Sequence, residues 1–522
     1  MKGRPRISDR IRFGSAVLSL LLCLPQPSLS EQSASSTPAR STTKSASPLS
    51  DAKLKLSHGD LAGAEASLWN VLGSNPNDEE ALTLLGVIRG RQHRFPEAEA
   101  LFRRVLQINP QSAVAHRDLG SALVEQDRND EALDQFTQAG ALAPKDYQLK
   151  VELAQLYAAK GEFAEALSSL QAIPIADFPV DAIPLKAAAL LATGRPAEAE
   201  TLIAHAKASP ATEVDLADIF LNAKLPDQAL RCLAIAGESS KQHTARYYAL
   251  KGKALQLKGE TQAALRSFHE GLALDPKSTD LLAAAAEIEA SQKNHTQALA
   301  GLQQAHANNP DSLPILRQLV VEAVRAGDQK TALSAASALS EKSSAPEDLY
   351  LAGVTLIELN SSGATSLLEK YVALQPKDPK GWLGLGIANV QQKRYPEARS
   401  ALERSLQLDP ASAEANYQLG LVAKSDSDAQ HAIAYFQRAV DLQPKHANAL
   451  LNLGNLYLQT GELQKAQDVL HRAEALDPHN LETEYNLGLV LSKLGQPELA
   501  RQHMDEFRKL KAAQPPAEQE HK

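Results

Sequence analysis

Four things are scarce in this chain. Aromatic residues are 4% of 522 positions although 43% are hydrophobic, so the apolar content is mostly alanine and leucine. That balance favours close-packed helices over a β-sandwich, which needs valine, isoleucine and aromatic side chains. Cysteine occurs only as Cys23 and Cys232. If the N-terminal segment is removed, Cys232 stands alone, so no intramolecular disulfide can form and cysteine supplies no zinc or CxxC chemistry. A basic excess is also missing. The formal net charge is -8, and residues 1–30 carry +4 of their own, which leaves -12 for the remainder. Such a surface does not attract phosphate backbones or anionic lipid, and nucleic acid is not expected as a partner. Finally, the most apolar run, "FGSAVLSLLLCL" from Phe13 to Leu24, is too short to cross a bilayer comfortably.

That run has a basic start before it, with Lys2, Arg4, Arg6, Arg10 and Arg12, and Pro25 and Ser28-Leu29-Ser30 after it. The order matches a secretory signal peptide over 1–30, which predicts an exported, periplasmic or envelope-associated chain. The same residues also admit an uncleaved N-terminal membrane anchor or a start codon placed too early. A lipid anchor on Cys23 is disfavoured because Leu22 precedes it, and Arg10 and Arg12 are not adjacent as a twin-arginine signal requires. The Ser/Thr/Ala-rich stretch 31–50 is too polar to offset ordering entropy, and the tail 513–522 reads the same way. Both are expected to be disordered.

What the chain has in abundance is a period. Prolines fall at Pro76, Pro110 and Pro144, at Pro276 and Pro310, and at Pro376, Pro410, Pro444 and Pro478, with a step of 34 inside each block. Glycine recurs at Gly86, Gly120, Gly252, Gly386, Gly420, Gly454 and Gly488, and alanine follows 12 residues later, from Ala98 to Ala500. Phe102, Phe136, Phe268, Leu402, Phe436 and Leu470 stand one helical turn beyond those alanines. The small residues predict close contact between a first helix, A, and a second, B. Gly59, Gly161, Gly259, Gly461 and Gly495 are expected to turn the chain between them, and the proline to end helix B.

These landmarks resemble the tetratricopeptide repeat, whose pattern W-x2-L-G-x2-Y, then A, F and P, is met by Trp382, Leu385 and Gly386 in one unit. Leu453, Gly454, Tyr457, Ala466, Leu470, Ala473 and Pro478 meet it in another. The resemblance implies an all-α solenoid of about fourteen 34-residue helix-turn-helix units. Repeats are expected over 51–176, 245–344 and 345–512, with degenerate ones over 177–244. "ELNSSGATSLLEK" near 358–370 looks shortened.

No HExxH, paired CxxC, GxSxG or Walker-type motif occurs, and the glycines of "GWLGLG" lie in a predicted helix without the strand that a dinucleotide site needs. The 14 histidines are scattered. Glu97, Glu99, Glu397 and Glu403 are expected on solvated outer faces, and Cys232, Met504 and Phe507 in packing roles. No cofactor, metal or catalytic residue is expected. One constellation points to binding: Gln418, Asn452 and Asn486 occupy the same place in three successive units. In tetratricopeptide arrays that place faces the concave surface, and an amide both donates to and accepts from a peptide main chain. Asn455, Tyr417 and Tyr485 are candidates to extend it. The lysine and asparagine set that clamps a free C-terminus is not reproduced in register.

The favoured reading is a non-enzymatic, exported scaffold that binds peptide or helical segments of other proteins. An alternative is an accessory of an envelope polysaccharide-export or outer-membrane assembly machine. A substrate-capturing part of a glycosyltransferase would need an α/β domain for which no suitable run remains.

Overall fold

The computed structural model describes residues 47–205, 209–240 and 243–513. The signal segment 1–30, most of the linker and the tail from 514 lie outside the described residues. Helix α1 (Pro48–Ser57) begins inside the stretch read as linker. The reason is local: Ser47 caps it by accepting from the Ser50 amide, and Pro48 presets the first turn. Composition alone does not register these signals.

Among the described residues there are 28 α-helices and no strands, arranged as fourteen successive A/B pairs with the A helices odd-numbered. The chain divides into two compact units, Met1–Ser267 and Phe268–Lys522. In unit 1 the degenerate stretch keeps its pairs. Two 3-10 turns, Ile175–Asp177 and Val180–Ala182, lead into α9 (Ile183–Ala192) and α10 (Pro196–His205), followed by α11 (Pro210–Asn222) and α12 (Pro226–Ser239). These helices share one core with Leu190, Phe220, Leu233 and Cys232, so packing persists where the landmark residues do not. Cys232 is fully buried there, and burial together with the neighbouring Glu213 pushes its thiol up to about 12.

Unit 2 contains the helices that matter below. They are α15 (Thr279–Ser291), α16 (His295–Asn308), α17 (Leu313–Arg325), α18 (Gln329–Lys342), α19 (Pro346–Glu358), α20 (Ala364–Leu374) and α21 (Pro379–Gln391). The remainder are α22 (Tyr395–Leu408), α23 (Ala413–Ser425), α24 (Ala429–Leu442), α25 (Ala447–Thr460), α26 (Leu463–Leu476), α27 (Leu481–Lys493) and α28 (Pro497–Ala513). Helix α20 has 11 residues where other B helices of this unit, such as α22 and α24, have 14, which is the shortening expected near 358–370.

The repeating glycine works by close approach. A Cβ at Gly386 would lie 2.5 Å from Leu402, one at Gly420 2.5 Å from Phe436, and one at Gly454 2.5 Å from Leu470. Each large side chain therefore sits against bare backbone of the partner helix, and the 0% exposed alanines Ala398, Ala432 and Ala466 fill the turn before it. In unit 1, Gly86 and Gly120 receive Phe102 and Phe136 in the same way. Turns between A and B are left-handed, with φ of +81° at Gly161 and +84° at Gly461. Where the sequence lacks glycine the same conformation is kept by other residues, such as Lys393 at φ 59° and Ser427 at 62°. Helix B ends on an extended residue before proline, as at Asp409 (φ -135°) and Asp477 (φ -140°).

Within unit 2, α17 touches α19, α19 touches α21, α21 touches α23 and α25 touches α27, whereas no two even-numbered helices approach to the same extent. The A helices thus crowd on the inner side of the stack.

Gly420→Ala is expected to destabilise unit 2 by about 1–3 kcal/mol through overpacking against Phe436, despite alanine's better helix propensity. Gly301→Ala has its nearest neighbours at 3.6 Å and should be neutral or stabilising by up to about 1 kcal/mol. Urea titrations of the two variants check this contrast.

Candidate functional site

Gln418, Asn452 and Asn486 each stand sixth in their A helices, α23, α25 and α27. The register is as the period requires, but the environment is a seam. In α21 that place is Gly384, where a Cβ would lie 3.4 Å from Leu368 of α20 and 3.9 Å from Ile357 of α19. Gln418 and Asn486 are accordingly 8% exposed. Gln418 donates from Nε2 to Glu414 Oε1 at 2.7 Å. Glu414 also faces His446 Nε2 at 3.4 Å, and that contact, with the Gln418 amide adding to it, holds its carboxyl below the usual range. Asn452 accepts from Lys424 Nζ at 2.8 Å and donates to the Asn448 carbonyl at 2.9 Å.

The structure brings Asn455 and Asn486 together. Asn486 Nδ2 donates to Asn455 Oδ1, and Asn455 Nδ2 donates to Glu482 Oε1 at 2.6 Å, linking α25 to α27. Gln418 and Asn452 share no such bond. The two tyrosines turn elsewhere, because neighbours in sequence lie about 100° apart on a helix. Tyr417 packs on Phe436 and His446, with ring centroids 5.8 and 4.7 Å away, and Tyr485 packs on Phe507 at 5.3 Å. Tyr485 keeps 42% exposure. Asn452, Asn455 and Asn486 are thus engaged in joining repeats and Gln418 bonds within its own helix, leaving Lys424 and Glu482 as the exposed polar groups beside them.

A more open site lies earlier in unit 2. A hollow of about 400 Å³ is lined by Glu287 and Ala290 of α15, Arg317, Gln318, Val321 and Arg325 of α17, and Leu351 of α19. Ala290, Val321 and Leu351 give it an apolar floor, while two guanidiniums flank it. Each arginine is braced from behind. Arg317 binds buried Asp348 in a fork, 2.5 Å from Nε to Oδ1 and 2.8 Å from Nη2 to Oδ2. Arg325 Nη1 lies 2.7 Å from Glu322 Oε1, whose other oxygen meets His295 Nδ1 at 2.8 Å. The two arginine side chains remain 39% and 54% exposed, so braced donors border a dent that can seat a side chain.

Sequence reading missed this hollow for a definable reason. Gln318 is sixth in α17, the same place as Gln418, but the sixth places Gln318, Leu351 and Gly384 are 33 residues apart rather than 34. A strict 34-residue count loses the row at that point. Unit 1 shows a third variant of the place: Asp118 in α5 (Ala113–Val124) and Glu152 in α7 (Tyr147–Lys160). Arg117 bridges α5 to Glu152, with Nη2 to Oε1 at 2.5 Å. Burial pushes the Asp118 carboxyl up to about 7, with Arg117 opposing and Glu152 adding to the shift. Of the carboxylates read as solvated, Glu97, Glu397 and Glu403 are exposed. Glu99 is instead largely covered, at 13% side-chain exposure, between Arg103 and Arg128.

Family profiles described as tetratricopeptide repeat match residues 77–145, 123–183, 185–205, 359–413 and 423–475. With the fourteen A/B pairs and their recurring glycine contact, they identify the chain as a tetratricopeptide-repeat protein. Among solved structures it resembles MamA (26% identity, 29% of this chain and 88% of that one, TM-score 0.28). It also resembles the Cut9–Hcn1 hetero-tetramer of the APC/C (16%, 89% and 94%, TM-score 0.32) and yeast Tom70 (15%, 83% and 92%, TM-score 0.36). No curated protein matches the sequence. Among the described residues no helix is long and apolar enough to cross a membrane.

Asp118 titrates in the folded state well above its unfolded value, so its contribution to stability is present below about pH 4 and is lost as pH rises through about 7. Asp118→Asn should therefore be more stable than the parent at pH 8, by on the order of 1 kcal/mol, and similar at pH 4. Denaturant melts at the two pH values check the sign.

Proposed function

We propose that this chain is a protein-interaction scaffold that receives a peptide or helical segment of a partner on the inner, A-helix side of unit 2, across α15, α17 and α19. The observation that carries the reading is the hollow at Val321 and Leu351 with Arg317 and Arg325 held at its edge. An apolar floor seats one side chain and the fixed guanidiniums meet a carboxylate or main-chain carbonyls, which is how a groove of stacked helices recognises an extended or helical segment. The tetratricopeptide fold supports the scaffold role. The basic start and apolar run of 1–30 support export, with the partner in the envelope.

Residues 31–522 are used to capture proteins from envelope and cytosolic extracts, beside a Val321→Asp/Leu351→Asp variant and a Gln418→Ala/Asn452→Ala/Asn486→Ala variant. An envelope protein retained by the parent should fall at least tenfold with the hollow variant and less with the amide variant. Equal retention by the hollow variant places binding elsewhere. Separately, fractionation of cells expressing the full chain should give an envelope species whose N-terminus lies near Glu31; a cytosolic species that retains Met1 contradicts export.

A further inference from the structure

The last repeat carries ionisable side chains where the preceding one is apolar. Glu474 of α26, Glu484 of α27 and His503 of α28 each stand 34 residues after Val440, Leu450 and Val469. Those three are buried members of one hydrophobic core. Two carboxylates and an imidazole thus replace an apolar trio at a repeat seam. Burying such groups costs stability unless something compensates the charge.

Their donor atoms converge. Glu474, Glu484 and His503 each offer a ligand atom within 4.8 Å of the others. His503 Nδ1 lies 2.8 Å from Glu484 Oε2 and 3.6 Å from Glu474 Oε1. Glu484 is 3% exposed, and no lysine or arginine pairs with either carboxylate among the described residues. A fourth group braces the set: His471 Nδ1 is 3.1 Å from the other oxygen of Glu474. A simple polar pair occurs at the corresponding seam of an earlier repeat, where His116 Nδ1 meets Gln135 Oε1 at 2.8 Å. That seam carries one imidazole and no carboxylate, and His116 Nε2 also lies 3.1 Å from the Pro110 carbonyl oxygen. The C-terminal cluster differs by carrying two carboxylates for one shared imidazole nitrogen.

We propose that Glu474, Glu484 and His503 form a binding site for a divalent cation of the zinc class, with His471 as a positioning residue that orients Glu474. A zinc ion holds nitrogen and oxygen ligands at about 2.0–2.2 Å, which sets tetrahedral ligand atoms roughly 3.4 Å apart. The separations of 2.8 and 3.6 Å straddle that value. The imidazole favours zinc, nickel or cobalt over calcium or magnesium, which take all-oxygen sets. A hydrogen bond from a second side chain to a ligating carboxylate is a usual outer partner of such an ion. Three protein ligands leave a fourth position for water. The ion neutralises buried Glu484 and half-buried Glu474 and ties α26, α27 and α28 together at the end of unit 2.

The test uses the full chain, stripped of metal with a chelator, and Zn²⁺ itself as the probe, in competition with a chromophoric zinc indicator. The parent should bind one Zn²⁺ more per chain than His503→Ala or Glu484→Leu, and Zn²⁺ should raise its Tm. The rise should vanish in both variants. Glu484→Leu restores the residue found in the preceding repeat, so it is expected to fold at least as well as the metal-free parent. His471→Ala should weaken the site, and His471→Gln, which still donates to Glu474, should recover part of the loss. Ca²⁺ and Mg²⁺ should give neither signal. Unchanged zinc stoichiometry in a folded Glu484→Leu chain, or absence of any Zn²⁺-dependent rise in Tm in the parent, overturns the proposal.

Discussion

The contact on which the fold depends is that of one large side chain on helix B with the bare backbone of helix A. With Cβ positions at Gly386, Gly420 and Gly454 only 2.5 Å from Leu402, Phe436 and Leu470, the A helix offers no room for even a methyl group. Close approach within each pair fixes the pair's geometry, and the pair then has two apolar faces that only neighbouring pairs can cover. Stability accordingly comes from contact with the next unit rather than from a single central core. This explains how a chain with 4% aromatic residues holds together. It also explains why the stretch around Phe220 and Cys232 survives the loss of its landmarks: helix pairing and burial continue there with different residues.

The same crowding creates the face proposed to bind a partner. Because successive A helices approach each other more closely than successive B helices do, side chains at recurring places on A are brought side by side. Chemistry at one place differs along the chain. In unit 1 it is Asp118 and Glu152; around the hollow it is Gln318 and Leu351; near the C-terminus it is Gln418, Asn452 and Asn486. One backbone thereby holds acidic, mixed and amide side chains at the same place between successive A helices.

The period, the glycine contact and the left-handed turns at Gly161 and Gly461 were legible in the sequence because each rests on a steric rule applied at fixed spacing. The candidate binding face was legible only in part. Counting by 34 reached Gln418, Asn452 and Asn486, with Asn455 beside them, but could not show that Asn455 and Asn486 bond to each other, nor that Tyr417 lies against Phe436. It passed over Gln318 because two steps of 33 shift the register. Histidines that look scattered along the chain, His471 and His503, meet around Glu474 because they sit on α26 and α28, the B helices of successive repeats. Three-dimensional convergence of residues from different repeats is the part that spacing does not encode.

The central claim is that the A-helix side of unit 2, and not the B-helix side, receives a partner. Amide hydrogen exchange of the full chain, with and without a purified partner, tests it most directly. Protection should appear in α15, α17 and α19, with little change in α16 and α18. Protection confined to the B helices, or to unit 1, would contradict the account.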